Sequence, residues 1–263
     1  MDKRKLCQEV VKIARDASKI IKDNYHKVSG NDIKFKQVND LVSFVDLETE
    51  QYLIRRLSTL ITNSSFLAEE SGKIINDGET GDYLWIIDPL DGTTNYIHGI
   101  PVFSISIALQ YKSRTVVGVV YEVNQDECFY ASEGHGAFMN DVPIKVSRTR
   151  QLSGSLVATG FPFREFEIVD EYLKIFRKLM KSTRGLRRLG SAAVDLAYVA
   201  CGRFDSFYEF NLNPWDVAAG EFIIREAGGQ VSDFNGNDNY LYGRQILASN
   251  SFVHSEMLNL IRK

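Results

Sequence analysis

Trp85-Ile86-Ile87-Asp88-Pro89-Leu90-Asp91-Gly92-Thr93-Thr94-Asn95-Tyr96 is an apolar run that ends on two carboxylates and passes at once into Gly-Thr-Thr. The run reads as a buried strand, and the glycine with its threonines reads as the start of a helix. Open α/β sheets hold their ligands beyond the carboxyl ends of strands, at turns of this kind. Such a turn offers hard oxygen ligands for Mg²⁺ and backbone N–H groups that suit a phosphate. It also reads as a plain connection, since Asp-Pro and Asp-Gly are common turn pairs. Asp88 sharpens the choice, because it directly follows three apolar residues and a buried carboxylate needs a partner.

Two further acidic clusters bear on that choice. Phe66-Leu67-Ala68-Glu69-Glu70-Ser71-Gly72 is a short apolar strand that ends in paired glutamates. Asn213-Pro214-Trp215-Asp216 opens a helix that runs to Gly228-Gly229, with Asn213 at the N-cap, Pro214 at the first helical position and Asp216 in the first turn. Each cluster also has a purely structural reading. Glu69 reads as a solvated acid beside Glu70, and Asp216 as the complement of a helix dipole.

Taken together and in this order, Glu69-Glu70-Ser71, Asp88-Pro89-Leu90-Asp91-Gly92-Thr93 and Trp215-Asp216-Val217-Ala218-Ala219-Gly220 resemble the inositol monophosphatase family, the lithium-sensitive, Mg²⁺-dependent sugar phosphatases. The likeness extends from about the first helix to near the C-terminus. It implies a layered αβαβα sandwich, a mixture of α+β and α/β construction, and a homodimer. It also implies that Glu69, Asp88 and the backbone carbonyl of Leu90 hold one Mg²⁺. Asp88, Asp91 and Asp216 would hold a second, with Asp88 bridging, and Glu69 would help a weaker third. Thr93 and Glu69 would orient and deprotonate the attacking water, and Asp46 would hydrogen-bond the threonine. Asp46 reads equally as the N-cap of a helix from Leu47 to about Ile61. The N–H groups of Gly92 and Thr93 would receive the phosphate. Asp91, Glu209 and the Gly190-Ser191-Ala192 turn would meet substrate hydroxyls. Glu209, between aromatics at a strand end, and the small-residue turn keep structural readings too.

The physical chemistry fits that resemblance. Four carboxylates in one cleft repel one another, and divalent cations remove the cost. A set of hard oxygens without Cys or His points to Mg²⁺ rather than Zn²⁺. Phosphatases that pass through a phosphoaspartate use Asp-x-Asp; the Asp-x-x-Asp spacing here speaks against a covalent nucleophile. The continuation Thr94-Asn95-Tyr96-Ile97-His98-Gly99 resembles the inositol-type sequence and favours a polyol or sugar monophosphate. Fructose 1,6-bisphosphate, NADP and 3′-phosphoadenosine phosphate remain alternatives. Arg164, in Thr159-Gly160-Phe161-Pro162-Phe163-Arg164, reads either as a contact for a second phosphate or as ordinary surface.

With 263 residues, 25% of them charged, and a net charge of −3, the chain has the composition of a soluble globular protein, and a nucleic-acid partner is not expected. One basic stretch, Lys181-Ser182-Thr183-Arg184-Gly185-Leu186-Arg187-Arg188, interrupts that balance. It reads as a solvated face, as a patch that steers phosphate, or as the docking surface of a regulatory, partner-binding protein. Cys7, Cys128 and Cys201 form neither a disulfide framework nor a zinc spacing. No signal-peptide core and no apolar run of membrane-spanning length is present, so a cytoplasmic protein without membrane association is expected.

Leu6, Val10, Ile13, Ala17, Ile21 and Tyr25 mark an amphipathic first helix. Strands are expected near 83–88, 102–111, 115–121, 127–131 and 136–139. These elements define an N-terminal α+β domain over residues 1–145 that carries the metal-binding motifs. Beyond it, strands near 155–159, 205–210, 229–233 and 245–249 alternate with helices near 167–181, 191–201 and from Pro214. That alternation defines a C-terminal α/β domain over residues 146–263 that closes the cleft.

Overall fold

The computed structural model describes residues 2–27, 33–37, 40–74, 81–162 and 166–262. Arg164 lies outside the described residues. Helix α1 (Lys3–Asn24) begins at Asp2, whose carboxylate accepts the N–H groups of Arg4 and Lys5, both at 3.1 Å. Its predicted stripe is buried from Leu6 to Ile21, while Tyr25 falls on the C-cap. A hairpin of β1 (Ile33–Gln37) and β2 (Asp40–Ser43) then leads directly into α2 (Phe44–Leu57).

The first large sheet is built from β3 (Ser65–Ala68), β4 (Gly72–Ile74), β5 (Tyr83–Asp91), β6 (Ser104–Tyr111), β7 (Arg114–Glu122), β8 (Glu127–Ser132), β9 (Ala137–Met139) and β10 (Val142–Ile144). Its strand order is β10-β9-β8-β7-β6-β5-β3-β4, and among the described residues only β3 and β5 pair in parallel. Helix α3 (Thr93–Ile97) follows β5. The second sheet, in the order β12-β11-β13-β15-β14, contains β11 (Leu156–Thr159), β12 (Gly185–Arg187), β13 (Ser206–Phe210), β14 (Gln230–Ser232) and β15 (Gln245–Ser249). Here β11 runs parallel to both β12 and β13. Four helices belong to this half: α4 (Val169–Ser182), α5 (Ala192–Ala200), α6 (Pro214–Glu226) and α7 (His254–Arg262).

Side-chain alternation along the strands explains the layers. Successive residues of a strand face opposite sides. Trp85 and Ile87 therefore pack with Ile105, Ile107 and Leu109 against α1 and α2, while Ile86 and Ala108 face the other way, onto α5 and α6. In the second sheet, Phe207 joins the α5–α6 layer, and Tyr208 and Phe210 pack under α4 and α7. The result is the expected αβαβα sandwich. A strand buried on both faces has no polar side, which is why the sequence before Asp88 is apolar without interruption.

Three local expectations need correcting. The second helix starts at Phe44, not Leu47, and Ser43 is its N-cap. Asp46 sits three residues in and closes a capping box, so it accepts from the cap instead of being the cap. The helix also stops at Leu57, short of Ile61. Strand β5 continues through Pro89 to Asp91, so the paired carboxylates lie within the strand and not beyond its end. The basic stretch contains β12, an edge strand that its sequence did not announce. Among the described residues, no helix is long and apolar enough to cross a membrane.

Candidate active site

The site begins with a break in β5. Residues three apart in a regular strand face opposite sides, which would separate Asp88 from Asp91. Pro89 has no N–H to give to the ladder, and the pairing with β6 slips there: Asp88 lies opposite Ser106, and Asp91 opposite Ser104. The extra residue is a bulge that brings both carboxylates to the same cleft. Gly92 then turns the chain at φ 96°, in the left-handed region. A side chain there would meet the Val102 carbonyl at 3.0 Å and the Gly190 carbonyl at 3.3 Å. Glycine is therefore required on both counts. The parallel pairing of β3 and β5 sets Ala68 beside Ile87, so Glu69, the first residue past β3, falls beside Asp88 within β5. The Glu69 N–H holds the Ile87 carbonyl at 3.2 Å.

Helix α3 follows Gly92 and has only five residues. Its dipole is correspondingly small. Thr93 points its Oγ1 at Asp46 Oδ1, 2.9 Å away, and lies 3.0 Å from the Leu90 carbonyl. A hydroxyl has one proton, so it serves one of these acceptors at a time. On its other oxygen, Asp46 accepts the Ser43 N–H at 2.9 Å and the Ser43 hydroxyl at 2.6 Å. Burial raises the Asp46 carboxyl above its usual range, while the bonds from Ser43 and Thr93 pull it back.

Asp88, Asp91 and Asp216 form an unfavourable group of charges. Asp88 is 1% exposed. Its carboxyl is raised well above the usual range, first by burial and then by Glu69, Asp91 and Asp216. Asp216 is raised well above it by burial, Glu69 and Asp91. Asp91 is raised by burial, against the opposing hydrogen bonds of Ser191 and Ala193 and the charge of Arg188. Each acid is held by local donors. Asp88 accepts the Leu90 N–H at 2.9 Å, and Asp216 accepts the Asn213 N–H at 2.6 Å. Asp91 accepts the Ser191 hydroxyl at 2.6 Å and the Ala193 N–H at 2.7 Å. Among the described residues, no three ligating side chains already close on a common metal position. Even so, the donor chemistry fits a hard divalent cation. It consists of carboxylates and one strand carbonyl, and each of the three aspartates is pushed toward its protonated form for want of positive charge.

The cleft has a volume of about 710 Å³ and continues past these acids to Gly160, Phe161, Arg188, Asp195 and Glu209. Thr159–Gly160 and Glu209 lie at the carboxyl ends of parallel strands β11 and β13, where α/β sheets place ligands. Glu209 fits tightly over Gly160: a Cβ on that glycine would fall 1.9 Å from the carboxylate. The Gly190-Ser191-Ala192 turn is the helix start that its small residues suggested, and it lines the cleft. Ser191 caps α5 by accepting the Val194 N–H at 3.3 Å, and it also donates to Asp91 on the cleft wall. Asn95 Nδ2 pins the same turn to the first sheet, bonding the Leu189 carbonyl at 2.9 Å and the Val102 carbonyl at 2.8 Å.

Three residues occupy places that the sequence does not assign to them individually. Arg188 belongs to the cleft and not to a separate basic face; it lies over the Phe161 ring, 5.5 Å from its centre. Asp195 is buried on α5 with Oδ1 lacking a hydrogen-bond partner, and burial together with Glu209 and Asp91 raises it well above the usual range. Its signal was a carboxylate inside Ala192-Ala193-Val194-Asp195-Leu196-Ala197, a helix with no polar face to turn outward. The third is Glu50, buried on α2 and bound to the turn after Glu69.

Comparison with known proteins shows that the fold is shared with solved inositol monophosphatases. The profile of the inositol monophosphatase family matches residues 2–263, and the chain belongs to that family. Among its relatives is the Nus factor SuhB of Pseudomonas aeruginosa, 43% identical over 254 residues, which covers 96% of this chain and 94% of that protein. The crystal structure of the extragenic suppressor protein SuhB from Bartonella henselae superimposes with a TM-score of 0.93 at 39% identity, covering 98% of each chain. The inositol monophosphatase from Anabaena superimposes at 0.85 and 35% identity, over 100% of this chain and 97% of that one.

Proposed function

We propose that the protein is a Mg²⁺-dependent phosphatase that hydrolyses inositol monophosphate or a closely related polyol phosphate in the cytoplasm. The observation that carries this reading is the shared cleft of Glu69, Asp88, Asp91 and Asp216, where burial and the acid neighbours hold Asp88 and Asp216 toward their protonated forms beside the Thr93–Asp46 pair. Glu69, Asp88 and the Leu90 carbonyl would hold one Mg²⁺. Asp88, Asp91 and Asp216 would hold a second, and Glu69 would assist a third. Bound Mg²⁺ supplies the missing positive charge, eases deprotonation of water and stabilises the attacking and leaving oxygens of an in-line displacement.

The protein's own groups position the reactants. Thr93 hydrogen-bonds Asp46 and turns its oxygen lone pairs toward the cleft, so that a proton taken from the attacking water at Oγ1 is matched by passage of the Thr93 hydroxyl proton to Asp46. Glu69 shares in taking that proton. The N–H groups of Gly92 and Thr93 receive phosphate oxygens, while Glu209, Asp91 and the Gly190–Ala192 turn orient substrate hydroxyls. Lithium inhibition and a homodimer belong to the same reading.

Phosphate release from myo-inositol 1-phosphate, fructose 1,6-bisphosphate, NADP and 3′-phosphoadenosine 5′-phosphate, with and without Mg²⁺, tests this. Mg²⁺-dependent release led by inositol phosphate is expected. Preference for another substrate would keep the chemistry and change the assignment, and no release from any would overturn it.

A second reading is supported by the relatives that carry the name Nus factor. In that reading the exposed Arg184 and Arg187, at the edge strand β12, dock a regulatory protein partner. Reversing both charges would abolish partner binding with turnover intact. Arg188 is left out of this test because it lines the cleft.

A further inference from the structure

We propose that Glu50 is a positioning residue for Glu69, so that α2 holds two parts of the reaction machinery from one face. Glu50 lies four residues after Asp46, and residues four apart on a helix share a face. Both are buried, at 1% exposure each. Asp46 receives Thr93. Glu50 receives the Glu70 N–H on Oε2 at 2.8 Å and the Ser71 hydroxyl on Oε1. Glu70 and Ser71 form the turn that immediately follows Glu69. The Glu69 N–H is itself tied to the Ile87 carbonyl of β5. The backbone around Glu69 is thus gripped from the sheet on one side and from α2 on the other.

The energetics favour this role over simple packing. A buried carboxylate is costly unless hydrogen bonds satisfy it, and an apolar side chain would fill the space under α2 at no such cost. Both contacts of Glu50 fall on one two-residue turn, and the distinctive content of that turn is the neighbouring Glu69. Helix α2 therefore sets the distance between the Thr93 hydroxyl and the Glu69 carboxylate through two acids one helical turn apart. A shift of that turn would misplace a proposed Mg²⁺ ligand without altering the pocket that holds the substrate. The inference rests on the proposed function to the extent that Glu69 is taken as ligand and base.

The test uses the full chain and reads Mg²⁺ binding by calorimetry beside kcat and KM. Glu50→Ala is expected to weaken Mg²⁺ binding by about 10- to 100-fold, the usual effect of losing a group that orients a ligand. It should also lower kcat and leave KM unchanged. Glu50→Gln keeps both contacts, with its carbonyl facing the Glu70 N–H and its amide facing the Ser71 oxygen, and is expected to restore both quantities. If Glu50→Ala does not fold, Ser71→Ala decides: the site is exposed, one contact is lost, and a smaller change in the same direction is expected. An alanine variant that melts at a lower temperature but binds Mg²⁺ and turns over like the parent would make Glu50 a simple core tie and overturn the proposal. A glutamine variant as impaired as alanine would overturn it as well. If the unaltered protein neither binds Mg²⁺ nor releases phosphate, the failure belongs to the proposed function and not to α2.

Discussion

At one end of the cleft, Asp88, Leu90, Asp91, Gly92 and Thr93 come from six consecutive positions; at the other, Gly160, Arg188, Asp195 and Glu209 come from the ends of β11 and β12, from α5 and from β13. The first end owes its shape to a local event, a bulge forced by Pro89 and a glycine at positive φ. The second owes its shape to tertiary packing of the second sheet. Chemistry built on one short segment has little freedom to change without losing its geometry. Recognition assembled from several strand ends can change one residue at a time. The carboxylate end should therefore be intolerant of substitution, and the distal end should retune the choice of substrate.

The largest effect is expected at Asp91→Asn and Asp216→Asn. Each should cut turnover by more than about 100-fold, beyond the range typical of residues that only orient ligands. The melting temperature without metal should not fall in Asp216→Asn, because that change removes a charge that Glu69 and Asp91 oppose. Turnover like that of the parent in either variant would break the comparison at its stronger end. Next comes Thr93→Val, which keeps the shape and loses the hydroxyl between Asp46 and Leu90. A loss of roughly 10²- to 10⁴-fold in kcat is expected for a group that handles the proton, and a change confined to KM would contradict that role.

Glu209→Gln sharpens the comparison at the distal end. The preference for inositol 1-phosphate over p-nitrophenyl phosphate should fall by roughly 10-fold or more, the value of a hydrogen bond to a charged group, with Mg²⁺ dependence unchanged. An equal loss on both substrates would make Glu209 structural. The smallest effect lies far from the cleft. His254 is buried between the hydroxyls of Ser232 at 3.0 Å and Ser249 at 2.9 Å, and burial lowers its pKa to about 4. A base depressed in the folded state favours folding above its ordinary pKa of 6.5, and that contribution is lost as pH falls from about 6.5 toward 4. His254→Asn should therefore flatten the pH dependence of stability in that window while leaving turnover unchanged at neutral pH.

The same contrast explains what the sequence disclosed. The layered fold was legible because strands buried on both faces leave unbroken apolar runs such as Trp85-Ile86-Ile87, and because α1 carries its stripe at helical spacing. The acids of the cleft were legible for a local reason: two carboxylates beside Pro and Gly occupy a few adjacent positions. The bulge itself was not legible, since pairing with β6 decides how far β5 continues. Asp46 was placed as a cap because Ser43, the true cap, lies three residues earlier on a strand end that nothing local distinguishes. Asp195, Glu50 and the cleft-facing position of Arg188 depend on elements distant in sequence: burial marks the two acids, and the exposed Arg188 is placed by the Phe161 ring beneath it. Glu209 was found only through the family resemblance, because an acid between aromatics reads equally well as a strand end.

The most direct test of the account is calorimetric titration of the metal-free protein with Mg²⁺ near pH 6, in two buffers of different ionisation enthalpy, for the unaltered chain and for Asp88→Asn. Burial and acid neighbours push Asp88 and Asp216 toward their protonated forms, and a bound cation favours the ionised ones, so binding is expected to displace protons. The account predicts Mg²⁺ binding accompanied by proton release in the unaltered chain, and loss of both in Asp88→Asn. Absence of Mg²⁺ binding in the unaltered chain, or equally tight binding in Asp88→Asn, would contradict it.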